Sequence, residues 1–172
     1  MTDQSVERPA DPVDRLLAQW RRERPDLDTS PMAVVGRVSR IARRVDLAQR
    51  ETFARYDLDP PAFDVLATLR RSGDPFALTA GDLMRSAMVT SGAITQRLDK
   101  LEARGLVRRG PHPEDGRVVL VSLAPAGREL VDRVLPDHLA TEERLLAGLT
   151  REQRSALADL LRTLDSSLAG GA

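Results

Sequence analysis

The chain has 172 residues, 41% of them hydrophobic, the size of one ordinary domain able to bury a core. Its 26 basic and 26 acidic side chains cancel, so overall charge announces no polyanionic partner, and any nucleic-acid surface has to be local. The absence of cysteine excludes disulfides, thiolate metal sites and sensing by thiol oxidation, and the two histidines, His112 and His138, are too far apart in sequence to mark a metal site by spacing.

Residues 1–11 are polar, carry both charge signs and read as a disordered lead, resembling neither a signal peptide nor a transit sequence. No apolar run approaches the roughly 20 residues of a membrane span. A cytoplasmic protein with no membrane partner is expected. Residues 12–24 predict a helix, with Val13, Leu16, Leu17 and Trp20 at helical spacing and Pro25 as its stop. Trp20, the only tryptophan, lies on that apolar stripe. "DLDTSP" then supplies capping residues and a first-turn proline for a long helix ending near Tyr56. Val34, Val35, Val38, Ile41 and Val45 stripe it. At 1.5 Å per residue it measures about 40 Å, longer than one small core needs, which predicts a partner surface.

"LDPPAFDVLATLRRSG" opens on prolines and closes on glycine around a short helix lined by Phe63, Leu66 and Leu69. "ALTAGDLMRSA" and "VTSGAITQRLDKLEARG" predict two more helices with a tight break at 87–89. "LVRRG", "HPEDGR" and "VVLVSLAP" read as strand, charged turn and strand. Two helices finish the chain, the first with Pro136 inside it as a kink signal, the second opened by Thr150 with Gln153 three residues on, as in a capping box. The fold class is thus mainly α with a small β-hairpin wing.

The order helix, helix, hairpin over 78–124 is that of a winged helix-turn-helix, whose second helix enters the DNA major groove. On that helix Ile94, Leu98 and Leu101 share one side and face inward, while Gln96 and Asp99 come out opposite, with Thr95 and Lys100 at the margins. Glutamine can bind adenine in a bidentate manner and threonine can meet a thymine methyl. Taken alone, such a face is also that of any solvated helix. The hairpin adds context: Arg117 stands at a turn from which it can reach a minor groove, and Asp115 beside it either restrains the guanidinium or softens a surface charge. From Arg85 to Arg117, seven basic residues (85, 97, 100, 104, 108, 109, 117) meet four acids (99, 102, 114, 115). The DNA-contact candidates are Thr90, Ser91, Thr95, Gln96, Lys100, Asp115 and Arg117.

"SGAITQRLDKLEARGLVRR", the wing "PEDGR" and "VSLAPAGREL" resemble the MarR family of bacterial transcription regulators, over about residues 32–168. The resemblance implies a homodimer held by N- and C-terminal helices, with two winged-helix lobes offered to a pseudo-palindromic operator of double-stranded DNA. The implied organisation is a lead over 1–11, an added N-terminal helix over 12–28, dimerisation and support helices over 29–77, the DNA-binding region over 78–124 and C-terminal dimerisation helices over 125–172. The extension "QWRRERPDLDTSP" further resembles the urate-responsive, PecS-like subfamily. By position that implies a small anionic ligand, urate or another purine, held by Trp20, Asp64 and Arg97, in a pocket between the added helix and the winged-helix lobe. Arg97 would be opposed by Asp64 until the ligand competes for it. His138, in "LPDHLATEERLL", resembles a histidine near the dimer axis and is a candidate pH switch.

Each of these ligand candidates also has a plain reading, as core tryptophan, solvated aspartate, phosphate-holding arginine and ordinary helix histidine. Citrate or trans-aconitate is the alternative effector, and a winged-helix module that binds protein is the alternative function. No nucleophile elbow, phosphate-binding loop, dinucleotide turn or metal spacing is present, so no enzyme, catalytic residue, metal or cofactor is expected.

Overall fold

A proline in the first turn behind an aspartate starts two of the described helices. The computed structural model describes residues 10–86 and 94–170. The chain divides into two compact units, Met1–Leu47 and Ala48–Ala172. In the first unit, helix α1 spans Pro12–Glu23. Asp11 caps it, accepting from the Val13 and Asp14 N–H groups at 2.7 and 2.9 Å, and the Asp14 carboxylate returns a bond to the Asp11 N–H at 2.9 Å. Val13 and Leu17 are buried, Val13 beside Gly36 of helix α2, Ser30–Ala54. There Val13 lies over the glycine, close enough that a Cβ on Gly36 would just touch its Cγ1, at 3.4 Å. Arg37 joins the two helices, reaching Asp11 at 2.9 Å and Asp14 at 2.6 Å.

In the second unit, Asp59 caps helix α3, Pro60–Arg71, through the Ala62 N–H at 2.7 Å. Strand β1 (Ala77–Thr79), helix α4 (Ala80–Ser86), helix α5 (Ile94–Ala103) and strands β2 (Val107–Pro111) and β3 (Val119–Leu123) follow. Helices α6 (Pro125–Leu145) and α7 (Arg151–Ala169) close the chain. α6 runs through Pro136 as one helix, and the Thr150 and Gln153 capping box opens α7.

The antiparallel sheet has the order β1-β3-β2, so the expected two-stranded hairpin gains a third strand. Residues 77–79, expected at the start of a helix, pair with β3 in the register Ala77 to Ser122, Leu78 to Val121 and Thr79 to Leu120. The helix begins after Thr79, whose hydroxyl accepts the Asp82 N–H at 3.0 Å and bonds its carboxylate at 2.7 Å. The core of this unit gathers Phe53, Leu66 and Leu69 with Leu83, Leu98 and Leu101 of the two short helices, Val107 and Val121 of the sheet, and Val131 and Val134 of α6. Each buried leucine is worth roughly 1.5–3 kcal/mol by the area it removes from water. Helix α5 therefore lies with its apolar side fixed and its other side free. Gly105 ends it at φ 68°, a left-handed conformation that costs glycine least, and the chain turns directly into β2.

Candidate functional site

The free side of α5 carries the residues that the periodicity assigned to it. Thr95, Gln96, Asp99 and Lys100 are exposed and Ile94, Leu98 and Leu101 are buried. Thr90 and Ser91, and the break at 87–89, lie outside the described residues. In the wing, Asp115 and Arg117 are both exposed. The Asp115 carboxylate accepts the backbone N–H of Arg117 at 3.0 Å, so it shapes the turn through the main chain. Of the two roles expected for it, restraining the guanidinium or softening a surface charge, the first is not seen, since the bond goes to main chain.

Four of the seven bases between 85 and 117 are engaged. Arg85 pairs with Asp82, Arg104 with Asp57 at 3.5 Å, Arg97 with Asp59 at 3.8 Å, and Arg109 with both Asp99 and Glu102. Among the described residues Lys100, Arg108 and Arg117 have no acidic partner within 4 Å. One cation on the α5 face and two on the wing thus remain available to an external anion.

Arg97 leans off the free face of α5 and is largely buried, with 16% of its side chain exposed. Its Nη1 is buried without a hydrogen-bond partner among the described residues. An unpaired buried guanidinium N–H is a costly arrangement and an open position for an acceptor. It lines a hollow of about 440 Å³ with Asp57, Asp59, Gln96, Lys100 and Arg104. Asp59, which sequence reasoning did not single out, is the acid found beside Arg97, in the place expected of Asp64. Asp64 is largely buried and lies 3.9 Å from Arg71, whose other nitrogen donates to the Ser86 carbonyl at 2.5 Å. The seven-residue spacing of Asp64 and Arg71 on one helix face was the signal for that pair.

A second hollow, of about 740 Å³, is lined by Asp64, Arg70 and Arg71 together with Phe53, Phe63, Leu135 and His138. His138 is 14% exposed, its Nε2 lies 3.1 Å from Glu142, and its ring packs on Phe53 and Phe63 at 5.3 and 4.9 Å. Its Nδ1 is buried without a partner among the described residues. In the first unit, Trp20 is not core: it is 41% exposed and lines a hollow of about 450 Å³ with Leu16, Met32, Val35, Arg40 and Arg43.

A free polar helix face beside an arginine-bearing wing defines a winged-helix DNA-binding protein. The model of the MarR family matches residues 56–118. The chain is 38% identical to the HTH-type transcriptional regulator PecS of Dickeya dadantii over 156 residues, 91% of this chain and 94% of PecS. It is 28% identical to the repressor NicR of Pseudomonas putida, over 82% of this chain and 90% of NicR. Among solved structures, BpsR of Bordetella bronchiseptica, whose DNA binding is regulated by 6-hydroxynicotinic acid, matches with a TM-score of 0.70 and 28% identity over 77% of this chain and 92% of BpsR. An E. coli MarR variant complexed with operator DNA matches with a TM-score of 0.69 and 25% identity over 84% and 96%. This chain belongs to the MarR family of DNA-binding transcriptional regulators. Among the described residues no helix is long and apolar enough to cross a membrane.

Proposed function

We propose that the protein is a repressor that binds a pseudo-palindromic operator as a homodimer and releases it when a small anionic effector binds. The observation that carries the DNA reading is the free face of α5 flanked by unpaired Lys100, Arg108 and Arg117. In this reading Thr95 and Gln96, with Thr90 and Ser91, meet base edges and phosphates, Lys100 and Arg117 meet phosphates, and Asp115 holds the wing turn. The dimer reading is supported by uncovered apolar surface at two places. α7 has no buried residue and carries Leu157, Leu160, Leu161, Leu164 and Leu168 at helical spacing, and α2 exposes Val34, Val35 and Ile41.

The effector reading is supported by the unpartnered Arg97 Nη1 and by the arginine-lined hollow at Asp64. A flat anion such as urate offers acceptors to Arg97. Asp64 and Trp20, expected beside it, each line a hollow of their own, and the acid beside Arg97 is Asp59, so the expected opposition of Asp64 and Arg97 is not found. Citrate is the second candidate, favoured by the arginines Arg40 and Arg43 beside Trp20. A 100-fold loss of DNA affinity requires a coupling of about 2.7 kcal/mol, within the usual allosteric range. His138 is the proposed pH switch: its proton would enter a site facing Glu142 on its own helix, and Asp64, Arg70 and Arg71 across the hollow.

Footprinting of DNA upstream of the protein's own gene, repeated with urate, 6-hydroxynicotinate and citrate, tests the reading. Protection of two half-sites about 10 bp apart, lost on adding one of these anions, is expected. A monomer at micromolar concentration, or DNA binding indifferent to salt, refutes it. If His138→Ala leaves the pH dependence of affinity unchanged, the switch fails.

A further inference from the structure

Arg109 belongs to the basic segment, and its position on β2 beside the recognition helix suggests one more phosphate contact. Its surroundings argue otherwise. The guanidinium donates from Nε to Glu102 Oε2 at 2.8 Å and from Nη2 to the same oxygen at 2.5 Å, and Nη2 also meets Asp99 Oδ1 at 2.7 Å. The other oxygen of Glu102 accepts the backbone N–H of Arg109 at 2.9 Å. One carboxylate on α5 therefore grips β2 by side chain and main chain together. Asp99 and Glu102 are three residues apart on α5, one turn, so both acids bear on the same arginine. The Glu102 carboxyl is held below the ordinary glutamate range, first by the Arg109 guanidinium and then by its backbone N–H. Neighbouring Arg108 points to the opposite side of the strand and has no acidic partner among the described residues.

We propose that Arg109 is a positioning residue: held by Glu102 and Asp99, it fixes the first wing strand to the recognition helix, and it is not a phosphate contact. Exposed ion pairs of this kind add little to stability, so the consequence lies in geometry. A winged-helix protein reads DNA with the helix in one groove and the wing at its flank, and both have to arrive in register. A main-chain tether two residues into β2 sets that register where the wing leaves the helix. The inference rests on the reading of α5 and the wing as the DNA surface.

The test uses the full-length protein and a duplex selected by it from a random library, with Glu102→Gln and Arg109→Gln as variants. Glu102→Gln keeps shape but offers one acceptor where two are used. Its operator affinity is expected to fall about 10-fold, the scale of one misplaced base contact, with an unchanged slope of log K against log salt and an unchanged melting temperature. Arg109→Gln is expected to match it, again with the slope unchanged, and the double variant to be no weaker than either single one. Simple electrostatics predicts the opposite sign, because removing a carboxylate from a DNA-facing surface strengthens binding. A freed Arg109 would also steepen the slope by about 0.9 for each phosphate it then neutralises. Tighter or unchanged binding by Glu102→Gln, or a shallower slope in Arg109→Gln, overturns the proposal. Failure of the unmodified protein to select any duplex would instead refute the DNA reading itself.

Discussion

Gly127→Ala is the substitution whose cost can be worked most directly from the structure. Gly127 sits buried in the first turn of α6, where a Cβ would stand 2.0 Å from the Leu106 carbonyl oxygen, 2.9 Å from its carbon and 3.1 Å from Leu123 Cδ1. The obstacle is backbone, so no rotamer relieves it. The same Leu106 oxygen accepts the Ala124 N–H at 3.0 Å, so separating the two segments by the roughly 1 Å that a methyl needs also lengthens that bond. Overpacking costs about 1–3 kcal/mol, and a rigid obstacle sets it at the upper end. A weakened hydrogen bond adds about 1 kcal/mol, and the helix preference of alanine over glycine returns about the same amount. The net is about 3 kcal/mol, which for a chain of this size lowers the melting temperature by roughly 6–12 °C. Thermal unfolding followed by circular dichroism at fixed protein concentration measures it. A melting temperature equal to or above that of the unmodified protein would show that α6 is not seated on Leu106 as described.

Thr52 and Thr141 share a buried hydroxyl pair at 2.8 Å, while Thr141 also bonds the Asp137 carbonyl at 2.9 Å and receives Arg144 at 2.7 Å. Thr52→Val is therefore expected to cost about 1 kcal/mol in urea unfolding, and the double valine variant less than the sum of the singles. The Asp11 carboxyl is held below its ordinary value of 3.8, first by the Asp14 N–H. A depressed acid stabilises above its unfolded value and ceases to do so as pH falls through the lower folded one, so α1 should loosen only below about pH 3.8. Trp20 fluorescence reports this, and Asp11→Asn should remove the acid step. Urate or a similar flat anion is expected to quench Trp20 and release DNA, with Arg97→Ala and Asp64→Ala each blunting the release; undiminished release in both variants refutes their effector role.

What was legible in the sequence was written by neighbours. Pro12, Pro60 and Thr150 mark helix starts through bonds spanning two or three residues, and the inward set Ile94, Leu98 and Leu101 follows from helical period alone. What was missed depends on distant partners. β1 exists because Ala77–Thr79 finds β3 more than 40 residues on, and a three-residue segment has no period to reveal it. Asp59 serves its own helix end and also Arg97 on another helix, so its second role has no local sign. The charge count over 85–117 was right as a sum, but it could not tell which cations were already taken.

That distinction fixes how strongly salt should weaken DNA binding. Counting bases from sequence gives seven per chain, and pairing leaves Lys100, Arg108 and Arg117 as the cations without an acid. Three of the acids that hold the others, Asp57, Asp59 and Asp82, lie outside the segment, and inside it Asp115 spends its carboxylate on main chain. If the pairings persist on DNA, a dimer neutralises at most six phosphates through these residues, and the slope of log K against log salt is bounded near −5 at about 0.9 per phosphate. Fourteen bases would give about −13 on the same rule. Titration of one operator duplex from 50 to 300 mM salt, on the order of conditions where such slopes are linear, separates the two. A slope much steeper than −5 would mean that Arg85, Arg97, Arg104 or Arg109 leaves its acid for phosphate, or that bases outside the segment reach the backbone; Asp57→Asn and Asp59→Asn distinguish these. In the first case the acids in this region are competitors of DNA, and substituting Asp57 or Asp59 by asparagine should tighten binding. With a slope no steeper than the bound, those arginines are not phosphate contacts, and Asp57→Asn or Asp59→Asn should leave the slope unchanged.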